Sequence, residues 1–130
     1  MSAWYALVDA GDRWHADALR GLRTMLDRNQ RLVTSNHVIG ETYTLLRMRL
    51  GHAAAQGFLR RSRASARTQR VFVPEAWEEE AEVVLARFAD QDFSFVDATS
   101  FIVMRNLRLR TAFAFDRHFA VAGYLLLVDG

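Results

Sequence analysis

The chain has 130 residues, of which 51% are apolar, and its formal net charge is +2. This length and composition fit a single domain over 1–130 with enough apolar side chains for a buried core. The absence of cysteine excludes a disulfide framework and thiolate metal sites, and it fits a cytoplasmic location. No apolar stretch approaches the roughly 20 residues that span a membrane, and the start of the chain does not resemble a signal peptide.

Hydrophobic periodicity and capping residues predict helices that alternate with short strands. Asp12, Ser35 or Asn36, and Ser94 stand where helices are expected to begin, and Gly51 stands where one ends. Apolar strands between helices are typical of an α/β fold with a central parallel sheet and helices on both faces. The helices are predicted at 13–28, 36–50, 52–66, 74–89 and 94–107, and the strands at 31–34, 71–73, 111–115 and 124–128.

All 17 basic residues are arginine, and five of them fall in one short stretch: Arg60, Arg61, Arg63, Arg67 and Arg70. Arginine makes forked contacts with phosphates and carboxylates, so this stretch is a candidate contact surface for RNA or for an acidic partner. A GC-rich genome also explains the absence of lysine, and a run of charge is also typical of a solvated helix face. Both interpretations stay open on the sequence alone.

Glu41 is the first of three carboxylates that an ordinary solvated position does not explain. It lies three residues after Val38 and four before Leu45, at the border of the apolar stripe of its helix. A carboxylate beside the core needs a cation or a metal as a partner, because burying its charge alone is costly. A position reached by solvent, or a salt bridge to an arginine, is the alternative.

Asp97 is the second carboxylate, and it follows Ser94 by three residues at a predicted helix start. This is the spacing of a capping box, in which the hydroxyl and the acid each accept a backbone N–H. Capping therefore competes with metal binding as the explanation of Asp97. Ser94 and Thr99 are candidates to support the Asp97 carboxylate, although capping and helix packing also account for them.

Asp116 is the third carboxylate, and it directly follows the apolar run 113–115. It therefore stands at the carboxyl end of a predicted parallel strand, which is the edge where open α/β sheets bind ligands. An ordinary aspartate between a strand and a loop is the alternative. His118 is a candidate to contact RNA or a metal-bound water, and His37 is a candidate to contact Glu41, which follows it by one helical turn. The preferred interpretations are a structural role for His118 and a surface position for His37.

Glu41, Asp97 and Asp116 come from separate elements, so a shared site is attractive if they converge. Clustered carboxylates bind Mg²⁺ or Mn²⁺ through oxygen, and such ions activate water and clamp the oxygens of a phosphodiester. Asp92 is a candidate to extend this metal site, with an exposed loop acid as the alternative.

Four stretches in a fixed order carry a resemblance to a known family: 2–7 with 12–15, 34–42, 93–98, and 114–119 with Gly123. The chain resembles the PIN-domain family, and within it the toxin ribonucleases of VapBC toxin–antitoxin systems. The resemblance implies a three-layer α/β sandwich and a metal site that uses Glu41, Asp97 and Asp116. It also implies metal-dependent cleavage of tRNA or ribosomal RNA, a homodimer, and an antitoxin partner that blocks the site.

The start of the chain departs from the family pattern. Members usually begin with a short strand that ends in Asp, followed by Thr or Ser and then by Ser, and Ser2 aligns with that last residue. The resemblance therefore implies that a first strand and its metal-binding aspartate are missing from the chain as given. A misassigned start codon, a truncated chain and a divergent nuclease are three explanations, and Asp9 and Asp12 are poor substitutes for the aspartate.

Two hypotheses of different classes follow from this departure. The first is a metal-dependent endoribonuclease with Mg²⁺ or Mn²⁺ at the three carboxylates. The second is a protein that no longer cleaves, and that instead binds RNA through the surface 60–70 or sequesters an antitoxin.

Overall fold

Residues 2–127, the part of the chain that the computed structural model describes, form seven α-helices and four short β-strands, with a pair of helices before each of the first three strands. The helices are α1 (Ser2–Val8), α2 (His15–Asp27), α3 (Asn36–Arg49), α4 (His52–Ala64), α5 (Glu75–Arg87), α6 (Phe95–Leu107) and α7 (His118–Val121). The strands are β1 (Leu32–Ser35), β2 (Thr68–Val71), β3 (Thr111–Ala112) and β4 (Leu125–Leu126). None of these helices is long and apolar enough to cross a membrane.

Side-chain caps begin the two helices that carry candidate site residues. Ser35 caps α3, because its Oγ accepts the backbone N–H of Val38 at 3.2 Å. Ser94 caps α6 through a complete capping box with Asp97. Both predicted caps are confirmed. The Asp12 carboxylate instead accepts the backbone N–H of Trp14, and α2 begins at residue 15, two residues later than predicted.

The strands pair in parallel, as the sequence predicted for this α/β fold. β1 pairs with β2 over four residues, and β3 pairs with β4 over two. Within residues 2–127 these are two separate two-stranded sheets rather than one continuous sheet. The helices between them supply the layers of the fold, with α3 packed on α4 and α5 packed on α6.

The strand predicted at 71–73 begins three residues too late and ends two residues too late, so it shares only Val71 with β2. The residues that pair with β1 are Thr68–Val71, while Phe72 is 82% exposed and the N–H of Val73 donates to Asn36 Oδ1 at 2.9 Å. Pairing with β1 and the hydrogen bond from Val73 to Asn36 therefore determine where the strand lies. Local hydrophobicity does not determine it.

The last two predicted strands are longer than the observed ones. β3 and β4 cover only two residues each, because the register pairs 111–112 with 125–126 and ends there. The predicted strand 124–128 extends past residue 127 and so partly lies outside the described residues.

Two groups of buried side chains form the main core. One joins α1, α3 and α4, and the other joins α6 to the segment that follows it. The first contains Tyr5, Ile39, Leu46, Ala55 and Phe58, and the second contains Phe101, Met104, Ala112, Ala114 and Phe119. In α3 the core side chains include Ile39 and Leu46, whereas Leu50 lies at the end of the helix and is 43% exposed.

A cavity of about 440 Å³ lies between these groups. All four residues of β1 line it, as do residues 110–113 around β3, with α1 and α6 contributing further walls. Trp4 on α1 reaches across to β1, where its indole N–H donates to Thr34 Oγ1 at 3.3 Å. The two strand pairs therefore face one shared space.

Candidate active site

The first turn of α6 fixes Asp97. Its backbone N–H donates to Ser94 Oγ at 3.0 Å, and its Oδ2 accepts the backbone N–H of Ser94 at 3.0 Å. A carboxylate at this position also gains from the positive end of the helix dipole. The capping interpretation of Asp97 is therefore correct. It does not exclude a second role, because Oδ2 also lies 2.7 Å from Nδ1 of His118.

The turn between β3 and α7 brings Asp116 to the same place. Asp116 Oδ1 accepts the backbone N–H of His118 at 3.2 Å, a local bond that shapes the turn before α7. Phe119, the next residue, is buried in the core against Phe101, with ring centroids 5.1 Å apart. The core therefore anchors the start of α7 and positions Asp116 beside the first turn of α6.

Asp97, Asp116 and His118 each offer a ligand atom, and these atoms all lie within 4.8 Å of one another. The Asp97 side chain is 16% exposed, that of His118 is 32% exposed, and that of Asp116 is 39% exposed. The cluster is thus open to solvent on one side, so a phosphate group has access to it.

This donor set fits a divalent cation. Two carboxylates this close repel each other, and a cation with oxygen preference, such as Mg²⁺ or Mn²⁺, relieves that repulsion. Among the described residues, the ion-pair partner of Asp97 is His118 rather than an arginine. A cation that binds Asp97 therefore does not compete with a guanidinium group.

Glu41 lies outside this cluster. It is half-buried in the second turn of α3, four residues after His37. The His37 ring contacts Phe95 at the start of α6, with ring centroids 5.7 Å apart, so the first turns of α3 and α6 are neighbours. The Glu41 carboxylate is nevertheless not among the groups of residues 2–127 that share the 4.8 Å cluster.

The other predicted site residues differ in what they contact. Ser94 bonds Asp97 directly, as described above. Thr99 is fully buried, and its hydroxyl donates to the Val96 carbonyl at 3.0 Å, within its own helix. Asp92 is exposed and is not a member of the described cluster.

Four of the five arginines lie at the other end of the β1–β2 pair from Asp97, whereas Arg70 lies within β2 and pairs with Thr34. Arg60, Arg61 and Arg63 are exposed near the end of α4, just before β2 begins, and Arg67 donates to Asn29 Oδ1 at 2.7 Å. The first turn of α6 instead neighbours the start of α3, which follows the carboxyl end of β1. The arginines are therefore not part of the carboxylate cluster.

The sequence interpretation missed the position of His118 between the two acids. The signal was the spacing Asp-x-His directly after the apolar run 113–115, which permits a turn from the carboxylate to the histidine N–H. It also missed the pairing of His37 Nε2 with Glu78 Oε1 at 2.6 Å. That contact joins residues 41 positions apart, so local spacing gives no indication of it.

The chain matches no family profile. It is 42% identical over 124 residues to the 23S rRNA-specific endonuclease VapC20 of Mycobacterium tuberculosis, in strains CDC 1551 and H37Rv, and the alignment covers 95% of this chain and 92% of the relative. Its fold is similar to the crystal structure of Mycobacterium tuberculosis VapC20, described as a sarcin-ricin loop cleaving toxin. The TM-score is 0.86, with 95% of this chain and 92% of that chain covered. Sequence and fold therefore point to the same relative.

Proposed function

The chain belongs to the VapC family of PIN-domain toxins, and from this premise we propose that it is an endoribonuclease that cleaves 23S rRNA in the sarcin-ricin loop. The family predicted from four stretches of sequence is thereby confirmed. One observation carries the proposal: Asp97 and Asp116 converge in a chain that shares 42% identity with VapC20 over 95% of its length. The substrate is inferred from that relative.

We propose that the reaction depends on Mg²⁺ or Mn²⁺ held by Asp97 and Asp116. Glu41 is a further proposed ligand from the neighbouring helix, and Asp92 is a proposed outer member of the site. When bound, such an ion supplies an activated water and stabilises the charge that develops on the phosphodiester. The support for this is the fit of the donor set rather than a bound ion.

The residues of the chain itself orient the acids for this task. The capping box holds Asp97 at the start of α6, so its carboxylate does not need to be ordered when the substrate binds. The turn before α7 does the same for Asp116. Because both side chains are partly exposed on one side, the backbone of a splayed RNA loop has access to them.

We also propose the partners that the family implies. An antitoxin protein is expected to cover the carboxylate cluster, and the surface Arg60, Arg61, Arg63 and Arg67 is expected to contact RNA or that protein. The toxin is expected to be a homodimer. Sedimentation equilibrium tests this last point, and a mass equal to the 14.9 kDa of one chain at micromolar concentration would contradict it.

The test is cleavage of 23S rRNA in intact ribosomes by the wild type and by Asp116→Asn. We expect a single cut in the sarcin-ricin loop that requires Mg²⁺ or Mn²⁺, and that is lost in Asp116→Asn because the amide cannot supply the negative charge. Asp90→Asn is the matched control, since it removes an exposed carboxylate outside the cluster with the same change of net charge.

Other outcomes separate the parts of the proposal. A cut elsewhere in the rRNA would refute the substrate but not the nuclease. Equal activity of wild type and Asp116→Asn would refute the site. Ribosome binding without any cut would favour the protein that binds RNA and does not cleave.

A further inference from the structure

His118 contacts both acids of the candidate site, one through its backbone and one through its ring. We propose that His118 is a positioning residue that fixes the relative placement of the Asp97 and Asp116 carboxylates for metal binding. This inference rests on the metal-dependent nuclease proposed above. In this proposal His118 orients the two metal ligands, whereas the carboxylates themselves bind the ion.

The ring contact restrains the orientation of the Asp97 carboxylate and occupies one of its two oxygens. Nδ1 of His118 and the backbone N–H of Ser94 both approach Oδ2 of Asp97, at 2.7 and 3.0 Å. An ionised carboxylate only accepts hydrogen bonds, so Nδ1 carries the hydrogen in this contact. Two donors on Oδ2 leave Oδ1 for a cation. Without the imidazole, the N–H of Ser94 is the remaining donor to this carboxylate among the described residues, so the carboxylate plane turns more freely about the last side-chain bond.

The backbone contact acts on the other acid. The N–H of His118 donates to Asp116 Oδ1 at 3.2 Å, whereas Nδ1 lies 3.9 Å from the same oxygen, too far for a hydrogen bond. The ring therefore bonds Asp97 and the backbone bonds Asp116. One residue thereby sets the distance between the two carboxylates.

Aromatic packing fixes the imidazole in this orientation. The Phe93 ring meets the His118 ring edge-to-face, with centroids 5.5 Å apart and planes at 85°. Phe93 in turn packs edge-to-face on Phe101, which is 5% exposed in the core. The ring thus has the aromatic support expected of a residue that holds another group in place.

The chemistry favours positioning over direct ligation. Mg²⁺ and Mn²⁺ prefer oxygen donors, and a nitrogen ligand adds little for them. Hydrogen-bond partners that orient metal ligands typically change metal affinity by about 10–100-fold when they are removed. The expected effect of His118 is therefore on affinity for the ion, through Asp97.

Three substitutions separate the possibilities. His118→Asn keeps an amide donor near the position of Nδ1, His118→Gln moves the donor to the position of Nε2, and His118→Ala removes it. Binding of Mn²⁺ alone to the intact protein is measured from the loss of the free-ion signal in electron paramagnetic resonance. We expect about 10–100-fold weaker binding for His118→Ala and His118→Gln, and no more than about 3-fold for His118→Asn.

Each outcome has a definite meaning. The inference is overturned if His118→Gln binds Mn²⁺ as tightly as the wild type, or if His118→Asn is as weak as His118→Gln. The comparison of these two variants decides even if His118→Ala does not fold. A wild type that binds no Mn²⁺ overturns the proposed metal site and this inference together, whereas tight binding that ignores His118 overturns only the inference.

Discussion

Asp97 both caps a helix and belongs to the carboxylate cluster, and two substitutions separate these roles. Asp97→Ala removes the acceptor of two hydrogen bonds, from Ser94 N–H and from His118 Nδ1. Hydrogen bonds to a charged group contribute about 1.5–3 kcal/mol each, but Ser94 is exposed and water replaces part of its bond. We therefore expect a loss of about 2 kcal/mol in the free energy of unfolding, or about 8 °C in the melting temperature.

Asp97→Asn keeps an oxygen in the position of Oδ2, but it loses the negative charge and has an NH2 group in the place of Oδ1. The amide oxygen still accepts the Ser94 N–H, so the stability loss is expected to stay below about 1 kcal/mol. The proposed metal site requires the charge, so we expect cleavage to fall by at least about 100-fold, equivalent to about 2.7 kcal/mol of transition-state stabilisation.

Urea denaturation and rRNA cleavage are measured on the same preparations. Ile39→Val is the control for stability, because it removes one buried methylene from the core around α1, α3 and α4 at a cost of about 0.5–1.5 kcal/mol. Its cleavage rate well below the unfolding transition should equal that of the wild type. An Asp97→Asn variant that cleaves at the wild-type rate would refute the role of this carboxylate. An unchanged urea midpoint in Asp97→Ala would refute the capping energy.

Two further predictions concern other charges. The hydroxyl of Tyr5 and the N–H of Gly11 donate to the Asp9 carboxylate and hold its pKa below the ordinary value of 3.8. The ionised carboxylate therefore stabilises the fold above pH 3.8, and this stabilisation is lost as the pH falls through the pKa of the folded state. The urea midpoints of the wild type and Asp9→Asn should therefore differ at pH 7 and approach each other as the pH falls below about 3.8. A difference that stays constant over this pH range would contradict the prediction. The double substitution Arg60→Glu with Arg63→Glu should raise KM on ribosomes and reduce its salt dependence without changing kcat, because these residues lie away from the acids. A change in kcat alone, or an equal effect on a short sarcin-ricin hairpin, would argue against the contact surface.

Helix starts were the most predictable part of the fold, because their signals are local. Ser35 and Ser94 each accept a backbone N–H three residues later, and this spacing can be read from the sequence. Strand positions depend on a partner elsewhere in the chain. The apolar run 71–73 therefore predicted a strand shifted toward the C-terminus, since pairing with β1 selected Thr68–Val71.

The candidate site shows the same difference between features that local sequence predicts and features that depend on distant residues. The sequence indicates Asp97 and Asp116 as candidate site residues, because Asp97 stands at a helix start and Asp116 stands at the end of an apolar run. That they converge, and that Glu41 stays outside their cluster, depends on how α3, α6 and the turn before α7 pack. His118 was interpreted as structural, because no local pattern shows that its ring reaches a carboxylate 21 residues earlier.

The cavity shared by the two strand pairs has a consequence for hydrogen exchange. Amides along a strand point alternately to opposite neighbours, so those of β1 and β3 that face the cavity have no strand partner among residues 2–127. These amides are expected to exchange through small local openings, whereas those bonded to β2 or β4 require a whole strand pair to separate. Within each strand pair, the amides that face the cavity should therefore exchange faster than the amides that bond the partner strand.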